Sequence, residues 1–168
     1  MSFRLVGAAA VAAMVAIPGT AGAQVLMERN VGVKMAMTIA QTALAECGDR
    51  VSVAVVDRAG RLRVFLQGDG ASPHNIELAR RKAYTARTFG RTSIEWAQRT
   101  ETAAAGQKQL SPPGQRQLSE VIPPQGGVPI KVGEDTIGGV GLSGAPNGGP
   151  QEEACGLAGI AKVADQLK

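Results

Sequence analysis

Gly138-Gly-Val-Gly-Leu-Ser-Gly-Ala-Pro-Asn-Gly-Gly-Pro150, running on into Gln151 to Lys168, sets the architecture of this 168-residue chain. It begins as a strand too rich in glycine to fill its own core face. It then becomes a loop of small residues and ends where Pro150 fits the first turn of a helix. Such a surface suits close approach, by another backbone of the same protein or by a ligand laid against unpaired N–H groups at the helix start. The positive end of the helix dipole there favours a carboxylate or a phosphate. A tight structural turn explains the stretch equally well. It has no Gly-Lys-Ser/Thr ending and no G-x-G-x-x-G register entering a helix, so neither nucleotide-binding fingerprint is met.

Upstream, Gly127 to Val132 reads as a strand, Gly133-Glu-Asp as a turn, and Thr136 to Ser143 as the partner strand. A second hairpin precedes it. The β-branched run Val51-Ser-Val-Ala-Val-Val-Asp57 is followed, after Arg58-Ala59-Gly60, by Arg61 to Gln67, which alternates Leu62, Val64 and Leu66 against Arg61, Arg63 and Phe65. Val121-Ile122, before the Pro123-Pro124 break, gives a possible fifth short strand.

Helices surround these strands. Small and apolar residues from Leu26 to Cys47 recur at helical spacing (Val33, Ala36, Ala40, Cys47), and Gly48 ends them. Ser72 and Pro73 supply a capping hydroxyl and a first-turn proline for a helix to Phe89, with Ile76, Ala79, Ala83, Ala86 and Phe89 on one face and Gly90 as its stop. Thr92-Ser-Ile-Glu95 is a capping box for a shorter helix containing Trp96. From about Ala105 to Glu120 the chain turns to Gln, Ser, Pro and Gly, a long polar connection free to move or to lie over a neighbouring subunit. Helix, hairpin, helices, hairpin, helix is too irregular for a doubly wound parallel sheet. It predicts the α+β class, an antiparallel sheet with helices packed on it.

Met1 to Ala23 has the pattern of an export signal: Arg4, an apolar run from Leu5 to Ile17, and Ala21-Gly22-Ala23 as the small-residue cleavage site. The apolar run is too short to span a bilayer. Cleavage near Ala23-Gln24 would leave a single domain, 24–168, in the periplasm or outside the cell, with no stable membrane span. Arg4 is the one charge in the leader, so the net charge of +4 becomes about +3. With dispersed cations and 3% aromatic residues, nucleic acid is not an expected partner. Cys47 and Cys155 could pair in an oxidising compartment, but both fall on apolar helix faces, so two buried small hydrophobes are the favoured reading. There is no Cys-x-x-Cys-His for covalent haem attachment and no zinc-site spacing.

Several ordered motifs carry a resemblance: Val53-Ala-Val-Val-Asp57; Gly68-Asp-Gly-Ala-Ser-Pro-His-Asn-Ile-Glu-Leu-Ala79; Arg81-Lys-Ala-Tyr-Thr-Ala86; Gly126-Gly-Val-Pro-Ile130; and Gly138 to Gly144 with Glu153-Ala-Cys155. Together they resemble the GlcG/HbpS family of haem-binding proteins, a module similar to the C-terminal domain of some cobalamin adenosyltransferases. The resemblance implies a profilin-like α+β fold with an about five-stranded antiparallel sheet flanked by helices, assembly into homo-oligomers, and haem as a noncovalent cofactor. It also allows an enzyme or accessory subunit in the catabolism of a small carboxylate or hydroxylated metabolite.

His74, the only histidine, is the candidate ligand for haem iron, since the positive end of a helix dipole works against an imidazolium and iron needs a neutral ring. Without it the plausible axial donors are Tyr84, Lys82, Cys155 or a methionine. Arg80, Arg81 and Lys82 are candidate partners for propionates or for a small anionic ligand, although a solvated helix face accounts for them as well. His74 and Glu77 form the best available acid/base pair. Asn147 and Gly148 are candidate ligand contacts on the glycine-rich loop, and Asp57 is expected to bond turn amides. One histidine and no nucleophile-base-orienter set count against a hydrolase. Three readings stay open: a haem-binding oligomer for storage, sequestration or sensing of haem or iron; a catabolic enzyme or accessory subunit; and an assembly protein whose glycines allow tight subunit packing.

Overall fold

The β-branched run after Gly48 forms the middle of the sheet. In the computed structural model, which describes residues 25–168, β1 (Ser52–Asp57) is buried along its whole length. It lies between β2 (Leu62–Gln67) and β4 (Asp135–Ser143), and β3 (Gly127–Val132) closes the far edge, giving the antiparallel order β2-β1-β4-β3. The predicted leader lies outside the described residues. The α+β class and both predicted hairpins stand.

The fifth strand does not form. Val121 is buried, but its N–H turns back to the Leu118 carbonyl and the Ile122 N–H donates to Thr85 Oγ1, so this segment is fastened to a helix rather than to a strand. Leu62 is also out of place: the strand bulges at Val55/Val56 and leaves Leu62 exposed, while Phe65 packs on the opposite face from Val64.

Four α-helices cover the sheet: α1 (Val33–Cys47), α2 (Asn75–Phe89), α3 (Ser93–Thr100) and α4 (Gly149–Ala161). The predicted glycine stops hold, Gly48 at φ 86° and Gly90 at φ 63°, each returning its N–H to the preceding turn. Thr92 caps α3 by accepting from the Glu95 N–H. Ser72 makes no capping bond through its hydroxyl. Its carbonyl accepts from Asn75, and the helix starts two residues later than the sequence suggests.

One sheet face is aliphatic. Val53, Val55, Val128, Ile130, Val140 and Leu142 pack with Ile39, Ala40 and Ala43 of α1 and with Cys155 of α4. The other face is nearly stripped of side chains, and α2 sits on it through Ala79 and Ala83 against Ala54 and Val56. Here Gly139 and Gly141 do what their lack of Cβ suggests. A methyl group at Gly141 would run into the Ala79 carbonyl and the Ala83 amide, and one at Gly139 into the Ala83 carbonyl. The close approach is made by another backbone of the same protein. Trp96 is buried and stacks on Phe89 with ring centroids 4.9 Å apart, while its indole N–H donates to Gln115. Gln115 and Arg116 thereby lay the polar connection over its own helix α3, with Arg116 donating to the Ala97 carbonyl and to Thr100.

Cys47 and Cys155 form a disulfide, which corrects the expectation of two unpaired buried thiols. Both are buried as expected, but α1 and α4 face one another closely enough for their Cα atoms to stand 5.8 Å apart, within the range that a disulfide spans. Gly159 allows this, since a Cβ there would lie 2.5 Å from the Ile39 carbonyl. The bond joins positions 108 residues apart, so it constrains the unfolded chain strongly and contributes about 2–4 kcal/mol.

Cys155→Ala is expected to lower the urea unfolding free energy by that amount, while thiol labelling of the native wild type yields no modified cysteine. Gly141→Ala is expected to cost about 3 kcal/mol, because the atoms in its way are backbone and cannot swing aside. A stability equal to wild type would mean that α2 does not rest on this strand.

Candidate functional site

The start of α2 is fixed from below. Asn75 is buried, its side-chain oxygen accepts from Ser143 Oγ at 3.1 Å, and its amide nitrogen lies against Gly144. The end of β4, the beginning of the glycine-rich loop and the first turn of α2 therefore meet at one end of the sheet. His74 stands just outside this anchor. It is exposed, has helical dihedrals, and among the described residues its ring makes no hydrogen bond.

The loop is less open than its sequence implies. Glu152, buried in the first turn of α4, accepts from the amides of Gly144 at 2.8 Å and Ala145 at 3.3 Å through one carboxylate oxygen. Gln151 accepts from the Asn147 amide, and the Gly148 amide turns back to Ala145. These four loop amides, ahead of the helix start, are occupied by the protein's own groups. Asn147 and Gly148 are exposed, and the Asn147 side chain makes no hydrogen bond among the described residues.

The other oxygen of Glu152 holds Lys82. The ammonium is 2.6 Å from that oxygen and 2.9 Å from the Leu142 carbonyl, and both side chains are 5% exposed. A buried charge needs such partners, and this pair locks α2, β4 and α4 together. Sequence reasoning placed Lys82 on a solvent face as a propionate partner or axial donor. To serve as either it would first have to leave Glu152. The only signal in the sequence is that Lys82 falls among Ala79, Ala83 and Ala86, residues of the buried side.

The remaining cations are tied down in different degrees. Arg80 pairs with Glu77 at 2.7 Å and with Glu120 at 2.5 Å. Hydrogen bonding to the Arg80 guanidinium, and its charge, hold the Glu77 carboxyl below its ordinary range. Arg81 donates one fork nitrogen to the Val121 carbonyl at 2.6 Å, while its Nε is buried without a partner. It lies on the same helix stripe as His74, two turns along and ~10 Å away by the rise per residue. Tyr84 is half-buried beside the Trp96 and Val121 cluster. Cys155 is removed from the list of iron donors by its disulfide. Asp57 behaves as expected, accepting from the turn amides of Ala59 and Arg61.

Residues 30–161 match the family described as haem degrading protein, HbpS-like. The chain belongs to that family. It is similar to a double Glu-to-Asp mutant of HbpS from Streptomyces reticuli, with 31% identity over 91% of this chain and 98% of that one, and a TM-score of 0.73. Another HbpS structure gives 32% identity, coverage of 89% and 99%, and a TM-score of 0.72. A PduOC:heme complex is similar in fold, at 23% identity, coverage of 78% and 93%, and a TM-score of 0.66. Among curated proteins nothing matches the chain. Among the described residues no group of three or more His, Cys, Asp and Glu could hold a metal ion, and no helix is long and apolar enough to cross a membrane.

The Lys82–Glu152 pair is testable by a double-mutant cycle. Lys82→Met and Glu152→Gln are each expected to cost about 3 kcal/mol in urea unfolding, and the double variant less than their sum, because each single change strands a buried group. Simple additivity would show that the two side chains do not interact.

Proposed function

We propose that this protein binds haem noncovalently, with His74 as the axial ligand to iron. The carrying observation is the His74 ring itself: it is the only imidazole in the chain, solvent-facing, without a hydrogen-bond partner among the described residues, and seated on a helix start that Asn75 anchors. A ligand to iron must keep one ring nitrogen unprotonated and reachable, and this ring meets the second need without any rearrangement. Membership of a family described as haem-degrading, and a similar fold seen as a complex with heme, support the same ligand.

In this reading Arg81, on the stripe of His74, meets a propionate through the part of its fork that the Val121 carbonyl leaves open. Asn147 and Gly148 border the ligand from the loop. Lys82 acts through Glu152 by holding that loop, and Tyr84 by packing α2 against its neighbours. Bound haem would supply an iron centre for ligand binding or redox sensing, and storage or sequestration of haem would need no more than the binding itself. The exposed Ile76 adds apolar surface at the same end of α2, of the kind that a second subunit covers. We place the protein as a homo-oligomer, one domain from Gln24 onward, exported to the periplasm or beyond after removal of residues 1–23. The Cys47–Cys155 disulfide supports an oxidising compartment.

The test is a haemin titration of wild type and His74→Ala, read by absorbance and followed by size-exclusion chromatography. Wild type is expected to give a saturable Soret shift. His74→Ala should lose it at least tenfold in affinity while keeping its elution volume and melting temperature, since an exposed ring contributes little to packing. A wild type without saturable binding would overturn the haem reading.

A further inference from the structure

At the opposite end of α2 a cavity of about 240 Å³ is lined by Arg58, Ala59, Gly60, Tyr84, Arg87 and Thr88. None of the functional residues read from the sequence lies in it except Tyr84. Arg87 donates its Nε to the Arg58 backbone carbonyl at 2.5 Å, which seats its guanidinium against the turn after β1, with Arg58 lining the same cavity. Arg58 has its own counterions, Asp135 at 2.8 Å and Glu28 at 3.6 Å. Arg87 has none: among the described residues no carboxylate lies within ion-pair distance of it. The opposite wall is the Tyr84 ring, against which Gly60 lies so closely that a Cβ there would fall 2.6 Å from Cε2. The Tyr84 and Thr88 hydroxyls make no hydrogen bond among the described residues.

We propose that this cavity is a binding site for a small monocarboxylate, held by the fork of Arg87 and by the Tyr84 hydroxyl. A half-buried guanidinium beside a second one lacks a counter-anion, and a planar carboxylate matches the fork with two parallel hydrogen bonds. Burial and the neighbouring Arg58 charge both push the Arg87 guanidinium below its ordinary value, the direction expected of a cation short of a partner. Asp135, Asp57 and Glu28 offset Arg58, Arg61 and Arg87 at longer range. Arg58 and Arg61 hold these carboxylates directly, which leaves Arg87 as the one guanidinium of the three without a contact counterion and suits a singly charged carboxylate better than a phosphate dianion.

The site is independent of the haem reading. Arg87 is 13 residues beyond His74, a separation of ~20 Å along the helix, further than a propionate reaches from the iron of a haem on that ring. The occupant is therefore a free small acid.

Acetate titrated into the purified protein at constant ionic strength, followed by NMR of the arginine side-chain Nε–H groups, tests this. The expected result is a saturable shift at Arg87, weakened at least tenfold by Arg87→Lys and about threefold by Tyr84→Phe, with an unchanged melting temperature in both variants as the check on folding and unchanged haemin binding in Arg87→Lys. A shift reproduced by chloride or sulfate at equal ionic strength would overturn the proposal, as would one unaltered in Arg87→Lys. Haemin is the second probe. If Arg87 shifts with haemin but neither with acetate nor with haemin dimethyl ester, the cavity takes a propionate, and the free-acid proposal fails while the haem reading survives.

Discussion

The seating of α2 on bare strand backbone is the contact on which the other features depend. With Gly139 and Gly141 beneath it, the helix lies closer to the sheet than side-chain packing would allow, and Ala79 and Ala83 are the largest residues that its inner face can carry at the contact. That closeness turns Lys82, on the flank of the buried stripe, into an interior residue. An interior ammonium needs a carboxylate, which Glu152 provides from α4. Glu152 in turn spends its second oxygen on the loop amides of Gly144 and Ala145. A steric property of two glycines thus determines, through one ion pair, the shape of a loop on the far side of the strand.

The local signals in the sequence were readable because they act locally. Gly48 and Gly90 stop their helices, Thr92 caps α3, Pro150 enters the first turn of α4, and Asp57 gathers the turn amides, each within a few residues of itself. The glycine-rich strand was legible as a close-approach surface, but not which of two guests it receives. Its loop amides looked available because Glu152 reads, in sequence, as one more polar residue near a helix start. Lys82 and Glu152 are 70 positions apart, and Cys47 and Cys155 108, so only the packing of α4 beside α1 and across the sheet edge from α2 reveals those partnerships. Leu62 and the Val121-Ile122 segment depart from expectation for related reasons: a bulge reverses the alternation at the first, and at the second a helix hydroxyl takes the Ile122 N–H that a strand would have taken.

Of the candidate site, the position of His74 was legible and the state of its neighbours was not. The cluster Arg80-Arg81-Lys82 looks uniform in sequence, yet its members face three environments: a surface ion pair, a backbone carbonyl and a buried carboxylate. Helical geometry separates consecutive residues by 100°, so a run of like charges cannot present itself to one ligand. Such a run is better treated as three separate questions about three faces.

The two ends of α2 then differ in a way that follows from its dipole. Its N-terminal end carries a neutral-capable ring and the carboxylate of Glu77, and its C-terminal end carries Arg87, the distribution that a helix macrodipole favours. At the first end the favourable group is already paired, by Arg80, and the ring is left over. At the second the favourable cation is the one left over, because Arg58 takes the nearby carboxylates. Both leftover groups are mounted on a helix that rests on backbone and cannot shift without breaking the Lys82–Glu152 pair. Their placement is therefore fixed before any ligand arrives, and pre-organisation of this kind lowers the ordering cost that binding would otherwise incur.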